Sequence, residues 1–373
     1  MNMTNGPVLL TPGPLTTSAR VKAAMQRDWG SRDPAFVRLG LRTFERVAQL
    51  AGAGPDHVCV PLQGSGTFAI EAMIGSLVAP HEKLLVLVNG AYGRRIVEIA
   101  RRLARKVDTF EVPETGTHDV DDLARRLRGA EAPDVVAMVH CETTSGLLNP
   151  LESIATCVRN AGKRLLVDSM SGFGALPLDM AAMGIEAVAA SSNKCLQGVP
   201  GVSFVVCSRD ALEARAGAAP SLVLDLAGQA RGFEVDGQWR FTPPTHVVAA
   251  LAEALDELDE EGGPPARLAR YRENCRILVE GFGELGMTPA LDPALQAPVI
   301  VSFREPGEPW YAFEPFYAAL EQRGFAIYAG KMRDVGTFRV GTIGAVDAAI
   351  MRAFVGEAAA VVTELKQKLK GGS

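Results

Sequence analysis

Short apolar runs alternating with helical patterns constrain this chain more than any other feature. The runs lie at 58–62, 84–88, 107–112, 135–139, 165–167, 185–190 and 202–207, and helical periodicity fills 37–51 and 120–128. Runs of that length bounded by polar or glycine-bearing loops read as buried strands. Strands separated by helices need crossover connections, which give a mostly parallel sheet with helices on both faces. The expected fold class is therefore α/β: a large domain with a mostly parallel sheet flanked by helices, and a smaller C-terminal α+β domain. Sheets of this kind bind ligands outside the carboxyl ends of their strands, so the loops after the runs are where chemistry is sought.

Two of those loops carry a carboxylate and an amine. The run at 165–167 ends in Asp168, and the run at 185–190 is followed by Ser191-Ser192-Asn193-Lys194. One helix-plus-strand unit separates them, which predicts that both emerge at the same sheet edge. Such a pair suits pyridoxal 5'-phosphate chemistry, in which lysine forms a Schiff base and an acid keeps the ring nitrogen protonated. An ordinary ion pair is the plainer reading of an aspartate and a lysine alone; the other loops turn the balance. Gln63-Gly64-Ser65-Gly66-Thr67-Phe68 is a strand-to-helix turn rich in glycine and hydroxyls, a ready phosphate cradle. It matches neither the dinucleotide fingerprint nor the P-loop. After the run at 84–88, Tyr92 reads either as a core aromatic or as a flat lid over a cofactor ring. His140 follows the run at 135–139 without a serine or cysteine elbow, and is expected to be a hydrogen-bonded structural histidine.

The remaining segments set the boundaries. With 373 residues, 47% of them hydrophobic, and a net charge of −5, the chain has ample core for two unequal domains. The division expected is an arm at 1–20, a large domain at 21–262 and a small one at 263–373, parted at Gly262-Gly263-Pro264-Pro265, with either flanking helix able to bridge them. Val8 to Pro14 holds two prolines and reads as an extended arm beside a site. Residues 208–238 carry few periodic signals. The C-terminal part alternates again at 298–303, 313–322, 325–328 and 338–340 before a last helix to about Lys368, with Gly371-Gly372-Ser373 as a flexible tail. Arg339 stands inside an apolar strand, where an unpaired guanidinium is costly, so it should face a carboxylate or an anionic ligand. Arg94, Arg95, Arg101, Arg102, Arg105 and Lys106 read as a solvated helix face, and no nucleic-acid partner is expected. No apolar stretch reaches membrane-spanning length and no signal core opens the chain, so no membrane association and a cytoplasmic location are expected. The six cysteines are dispersed without metal-ligand spacing, which predicts reduced, mostly buried thiols and no metal.

Taken together, these runs resemble the fold-type I, class V aminotransferases over nearly the whole chain. The resemblance rests on Leu10-Thr11-Pro12-Gly13-Pro14-Leu15-Thr16-Thr17, Asp28-Trp29-Gly30-Ser31-Arg32-Asp33, the glycine turn at 63–68, and His140-Cys141-Glu142-Thr143-Thr144. It continues through Ser192-Asn193-Lys194-Cys195, Gln238-Trp239-Arg240-Phe241-Thr242 and Phe338-Arg339-Val340-Gly341. It implies that Lys194 carries the Schiff base of pyridoxal 5'-phosphate, that Asp168 pairs with the ring nitrogen, and that Ser65, Gly66 and Thr67 hold the phosphate. It further implies that Tyr92 stacks on the ring, Thr143 lies near the ring hydroxyl, and Asn193 lies beside the phosphate. Thr242 would reach the phosphate of a neighbouring subunit's cofactor, which implies a homodimer with shared active sites. Arg339 would bind the anionic end of the substrate. The activity implied takes a small amine donor, 2-aminoethylphosphonate, and a 2-oxo acid acceptor, pyruvate, to phosphonoacetaldehyde and L-alanine. Other class V reactions share the same cofactor residues, among them alanine or serine:glyoxylate transamination and lysis of a hydroxylated aminophosphonate. A nicotinamide oxidoreductase on a doubly wound sheet lacks its fingerprint here. Two positions depart from the family pattern: Pro220 stands where arginine is usual, and Gly172 where serine is usual.

Overall fold

A computed structural model describes residues 6–371. Its central sheet has seven strands: β1 (His57–Gln63), β2 (Lys83–Val88), β3 (Lys106–Glu111), β4 (Val135–Val139), β5 (Arg164–Asp168), β6 (Ala187–Ser191) and β7 (Val202–Ser208). Their order is β1-β7-β6-β5-β4-β2-β3. Neighbours are parallel except at β7, which runs antiparallel to both β1 and β6. Two reversals cancel, so β1 points the same way as the parallel strands and its carboxyl end shares their edge.

Strand composition follows position in the sheet. β4 and β6 are buried along their whole length, as expected where helices cover both faces. The edge strand β3 buries only Phe110 and keeps Lys106, Asp108 and Glu111 exposed, charges that discourage pairing with another chain. Helices α1 (Pro34–Leu50), α2 (Gly66–Leu77), α3 (Ala91–Arg102), α4 (Val120–Arg128) and α5 (Leu151–Asn160) supply the cover. Leu85 and Leu87 of β2 face α1, α4 and α5, whereas Leu84, Val86 and Val88 face α2 and α3, the period of two that pleated strands impose.

Beyond β7 come α6 (Leu226–Asp236), α7 (Thr245–Glu261), α8 (Gly263–Glu284), β8 (Ile300–Arg304), α9 (Phe313–Gln322), β9 (Tyr328–Ala329), β10 (Thr337–Gly341) and α10 (Ala348–Gly371). Strands β8, β10 and β9 form an antiparallel sheet in that order. It packs on α8, α9 and α10 around a separate core holding Phe282, Phe303, Phe316, Phe338 and Phe354. Helices α7 and α8 meet at Gly262 and Gly263, whose φ of +106° and +77° lies in the region that favours glycine. Glu261 clasps this corner through ion pairs of 2.8 Å to both Arg267 and Arg270. Helix α8 bridges the two cores: Leu268 and Tyr271 pack with Leu15 and Cys195, while Leu278 and Phe282 lie in the C-terminal core.

Several expectations are corrected here. Residues 208–238 contain two helices, Arg209–Ala214 and α6, opened by Ser208 and Asp225 as side-chain caps. Gly228, Gly232 and the buried Gln229 interrupt the apolar period of α6, which hid it. The run at 325–328 is two short strands: Phe325–Ala326 pairs in parallel with Val8–Leu9 of the arm, and β9 pairs with β10. The basic cluster is not one solvated face. Arg105 and Lys106 lie beyond the end of α3, and Arg105 is buried, donating to the Gly75 and Ala218 carbonyls at 2.8 and 2.9 Å. Gly371 belongs to α10; the rest of the expected tail and the first five residues of the arm lie outside the described residues. Among the described residues, no helix is long and apolar enough to cross a membrane, and all six cysteines are unpaired.

Candidate active site

The register of the sheet places the two charges predicted to react. β5 pairs with β6 so that Asp168 lies opposite Ala189, and the chain then turns through Ser191-Ser192-Asn193 to Lys194. Their side chains meet in a cavity of about 200 Å³ at the carboxyl edge of the sheet. The predicted residues Ser65, Gly66, Thr67, Tyr92 and Asn193 line the same cavity, together with Gly13, Arg95, Met170 and Ser191, which were not predicted. The arm passes directly over the lysine: Lys194 Nζ donates to the Pro12 carbonyl at 2.5 Å. A Cβ on Gly13 would stand 2.6 Å from the lysine side chain, so only glycine lets the arm pass this close.

Burial tunes both charges. Removal from water pushes the Asp168 carboxyl up to about 6, against the Met170 N–H that donates to its Oδ1 at 2.9 Å. Nearby Glu142 adds to the rise, and Arg95 and Lys194 oppose it. Burial lowers the Lys194 ammonium, partly offset by Tyr92, Cys195 and Asp168; a lysine so displaced is more readily neutral and able to take a proton. His140 behaves as expected of a structural residue. Its Nδ1 lies 3.1 Å from Ser169 Oγ, and burial pushes its imidazole down to about 4, so it is neutral near pH 7.

One end of the cavity is built for an anion. Gly64, with φ of +129°, turns the chain from β1 into α2. Ser65 occupies the N-cap without a side-chain capping bond, which leaves first-turn N–H groups of α2 available to a ligand. Arg95 Nη1 donates to Thr67 Oγ1 at 3.2 Å. Arg95 follows Tyr92 by three positions on α3 and so shares its face; that spacing was the signal that could have separated it from its solvated neighbours. Thr242 is not in this cavity. It lies on the outer side of the glycine turn, in a second depression with Gln63, Gly64, Phe68, Trp239 and Phe241. Trp29 and Trp239, from the runs at 28–33 and 238–242, pack instead on Phe36 and Phe44 of α1.

Arg339 and Thr143 do not line this cavity but adjoin it behind Tyr92. Arg339 is buried in β10, where Nε donates to the Ala329 carbonyl at 3.0 Å and Nη1 to the Thr143 carbonyl at 3.1 Å. The Tyr92 phenol and, more weakly, the Glu142 carboxylate favour the charged guanidinium, and no carboxylate lies within ion-pair distance of Arg339 among the described residues. Burial raises the Tyr92 phenol, but Thr143 and the charges of Lys194, Lys331 and Arg339 outweigh it and leave the group below its ordinary value. Thr143 itself sits in a hairpin fixed by Glu142, whose buried carboxylate accepts from Gly93 N at 3.2 Å and Thr144 N at 3.1 Å. The two departures lie apart from this chemistry: Pro220 is exposed near Gly75, and a side chain at 172 would meet Leu176 at 2.7 Å.

The donor set fits pyridoxal phosphate: open N–H groups, hydroxyls and a guanidinium for a phosphate, a buried carboxyl for a ring nitrogen, and a buried amine for an aldehyde. A family model described as aminotransferase class-V matches residues 19–334. The chain belongs to the class-V aminotransferase family. Its relatives include a 2-aminoethylphosphonate--pyruvate transaminase of Pseudomonas entomophila (strain L48), 49% identical over 98% of this chain and 99% of the relative. Another of that name from Pseudomonas aeruginosa (strain UCBPP-PA14) is 51% identical over 94% and 96%. Among solved structures, aspartate aminotransferase of subgroup IV from Thermus thermophilus superposes with a TM-score of 0.86 at 27% identity, covering 96% of this chain and 99% of that one. Ureidoglycine-glyoxylate aminotransferase from Bacillus subtilis gives 0.89 at 25% identity, covering 97% and 94%. Membership of this family implies pyridoxal phosphate as cofactor, an amine donor and a 2-oxo acid acceptor.

Proposed function

We propose that this class-V aminotransferase moves the amino group of 2-aminoethylphosphonate to pyruvate, giving phosphonoacetaldehyde and L-alanine in phosphonate degradation. The observation that carries this reading is Arg339, a buried guanidinium beside Tyr92 and the lysine cavity that forms no ion pair with a carboxylate among the described residues. The near-full-length relatives named 2-aminoethylphosphonate--pyruvate transaminases, at 49 to 51% identity, support it over the glyoxylate-specific members, which resemble the chain at 25%.

When bound, pyridoxal phosphate supplies an aldehyde that takes the amino group and a ring that spreads negative charge. Ser65, Gly66, Thr67, Arg95 and Asn193 would hold its phosphate, Tyr92 would stack on its ring, and Thr143 would lie near the ring hydroxyl. Asp168 would hold a proton on the ring nitrogen, a role suited to a buried carboxyl whose proton affinity is raised. Lys194 Nζ takes the proton from the amine-bearing carbon of the donor and returns one to the corresponding carbon of the oxo acid. The arm carbonyl at Pro12 keeps water from this amine. Arg339 orients both substrates, a phosphonate in one half-reaction and a carboxylate in the other, through its planar fork of donors. One site serving two substrates in turn is a ping-pong scheme.

The reading extends to a homodimer in which Thr242 reaches the phosphate of the other subunit's cofactor, and to a division of the chain at Gly262. Six unpaired cysteines favour a reducing compartment, the cytoplasm. The test is the visible spectrum of protein loaded with pyridoxal phosphate. 2-Aminoethylphosphonate and L-alanine should each bleach the visible band, and L-serine should not. A band unmoved by 2-aminoethylphosphonate removes the substrate assignment and leaves the family intact.

A further inference from the structure

The loop joining β9 to β10 brings a second cation to the Tyr92 ring at the mouth of the site. Lys331 Nζ lies 5.2 Å from the centroid of the Tyr92 ring, the ring that lines the lysine cavity and faces Arg339. Both sides of Lys331 are fixed. Before it, the Ala329 carbonyl accepts from Arg339 Nε at 3.0 Å. After it, the Arg333 N–H donates to Glu114 Oε2 at 3.0 Å, and Glu114 is itself ion-paired with Arg94 of α3. Gly330 packs so tightly that a Cβ there would stand 2.1 Å from the Thr337 carbonyl. No carboxylate pairs with Lys331 among the described residues. The flanking backbone thus places the exposed Lys331 ammonium over the Tyr92 ring that Arg339 also approaches, with its charge uncommitted.

The two half-reactions differ in the charge they present here. A fully ionised phosphonate carries two negative charges on three oxygens, and a carboxylate carries one on two. The planar fork of Arg339 satisfies a carboxylate by itself, whereas a phosphonate bound to Arg339 keeps a charge and an oxygen to spare. A lysine is a compact point charge suited to that remainder. Resting on the function proposed above, we propose that Lys331 is a specificity-determining residue, the second cation for the phosphonate dianion of the amine donor. It touches the phosphonate half-reaction more than the carboxylate one, and so sets the preference for aminophosphonate over amino acid.

Loaded protein with Lys331→Gln or Lys331→Arg tests this by stopped-flow measurement of the visible band in each half-reaction. Lys331→Gln should lower the second-order rate constant for 2-aminoethylphosphonate by about tenfold more than that for L-alanine, mostly through weaker binding. Lys331→Arg should retain most of the preference. Methylphosphonate and acetate, which have no amine to transfer, probe the same point without chemistry. In Lys331→Gln, methylphosphonate should compete less well against L-alanine, and acetate should change far less. Equal losses for both donors, or for both inhibitors, overturn the role of Lys331 even if the unmodified protein uses 2-aminoethylphosphonate well. If the unmodified protein leaves 2-aminoethylphosphonate untouched, the proposed function falls, and this assignment with it.

Discussion

Asp168 carries a charge that the protein alone does not neutralise. Its folded value, pushed up to about 6 from an ordinary 3.8, means the folded chain holds this proton more tightly than the unfolded one. The sign follows: between about pH 4 and pH 6 the group costs stability as pH rises, and above pH 6 the full cost remains. Asp168→Asn keeps the acceptor for the Met170 N–H and removes the charge. Without cofactor it should melt above the unmodified protein, by a margin that grows from pH 4 to pH 6 and then levels off, while its loaded form loses turnover. A margin independent of pH would count against a buried carboxylate. Asp168 and Lys194 were legible in the sequence because the first ends a strand and the second follows one within three residues, and strand ends have a fixed place in a parallel sheet. Arg95 was not, because the residues around it on α3 are also basic and only the three-residue offset from Tyr92 distinguishes it. Lys331 was invisible for another reason: its position depends on Arg339, Glu114 and Tyr92, which are far apart in the chain.

The arm and β10 form an element-scale unit. Gly341 N donates to the Leu10 carbonyl at 2.8 Å, and a Cβ on Gly341 would stand 2.4 Å from the Thr11 carbonyl oxygen. Backbone cannot yield as a flexible side chain does, so Gly341→Ala should push the arm off the strand at a cost of about 1 to 3 kcal/mol. A melting temperature unchanged by Gly341→Ala would show that the arm is not seated there. The elements missed from sequence, Arg209–Ala214 and α6, both start at a side-chain cap; the first is only six residues long, and the apolar face of the second is diluted by glycine. The division of the run at 325–328 was also out of reach, since its first half pairs with an arm more than 300 residues away.

At the scale of the whole molecule, the layered sheet was legible because strand and helix periods alternate over most of the chain, and the antiparallel β7 was not, because a strand's own residues do not state its direction. Phe68, Val223 and Phe241 remain exposed around the depression that holds Thr242, a patch that association would cover. Light scattering should give twice the 39.6 kDa of one chain, and Phe241→Asp should weaken association by about 2 kcal/mol or more; a single-chain mass for the unmodified protein would end the shared-site reading. Helix α8 has a mechanical meaning as well. At one end Arg267 grips the Cys195 carbonyl next to Lys194, at 2.9 Å, and at the other Phe282 packs on Phe338 next to Arg339, at 6.1 Å between ring centroids. Twenty-two residues of helix make a rod about 33 Å long, so a tilt of about 5° at the glycine corner displaces the far end by about 3 Å. Under the roles proposed for Lys194 and Arg339, such a rod would act as a lever between proton transfer and substrate grip, and Glu261, bound to both arginines at the corner, would restrain it.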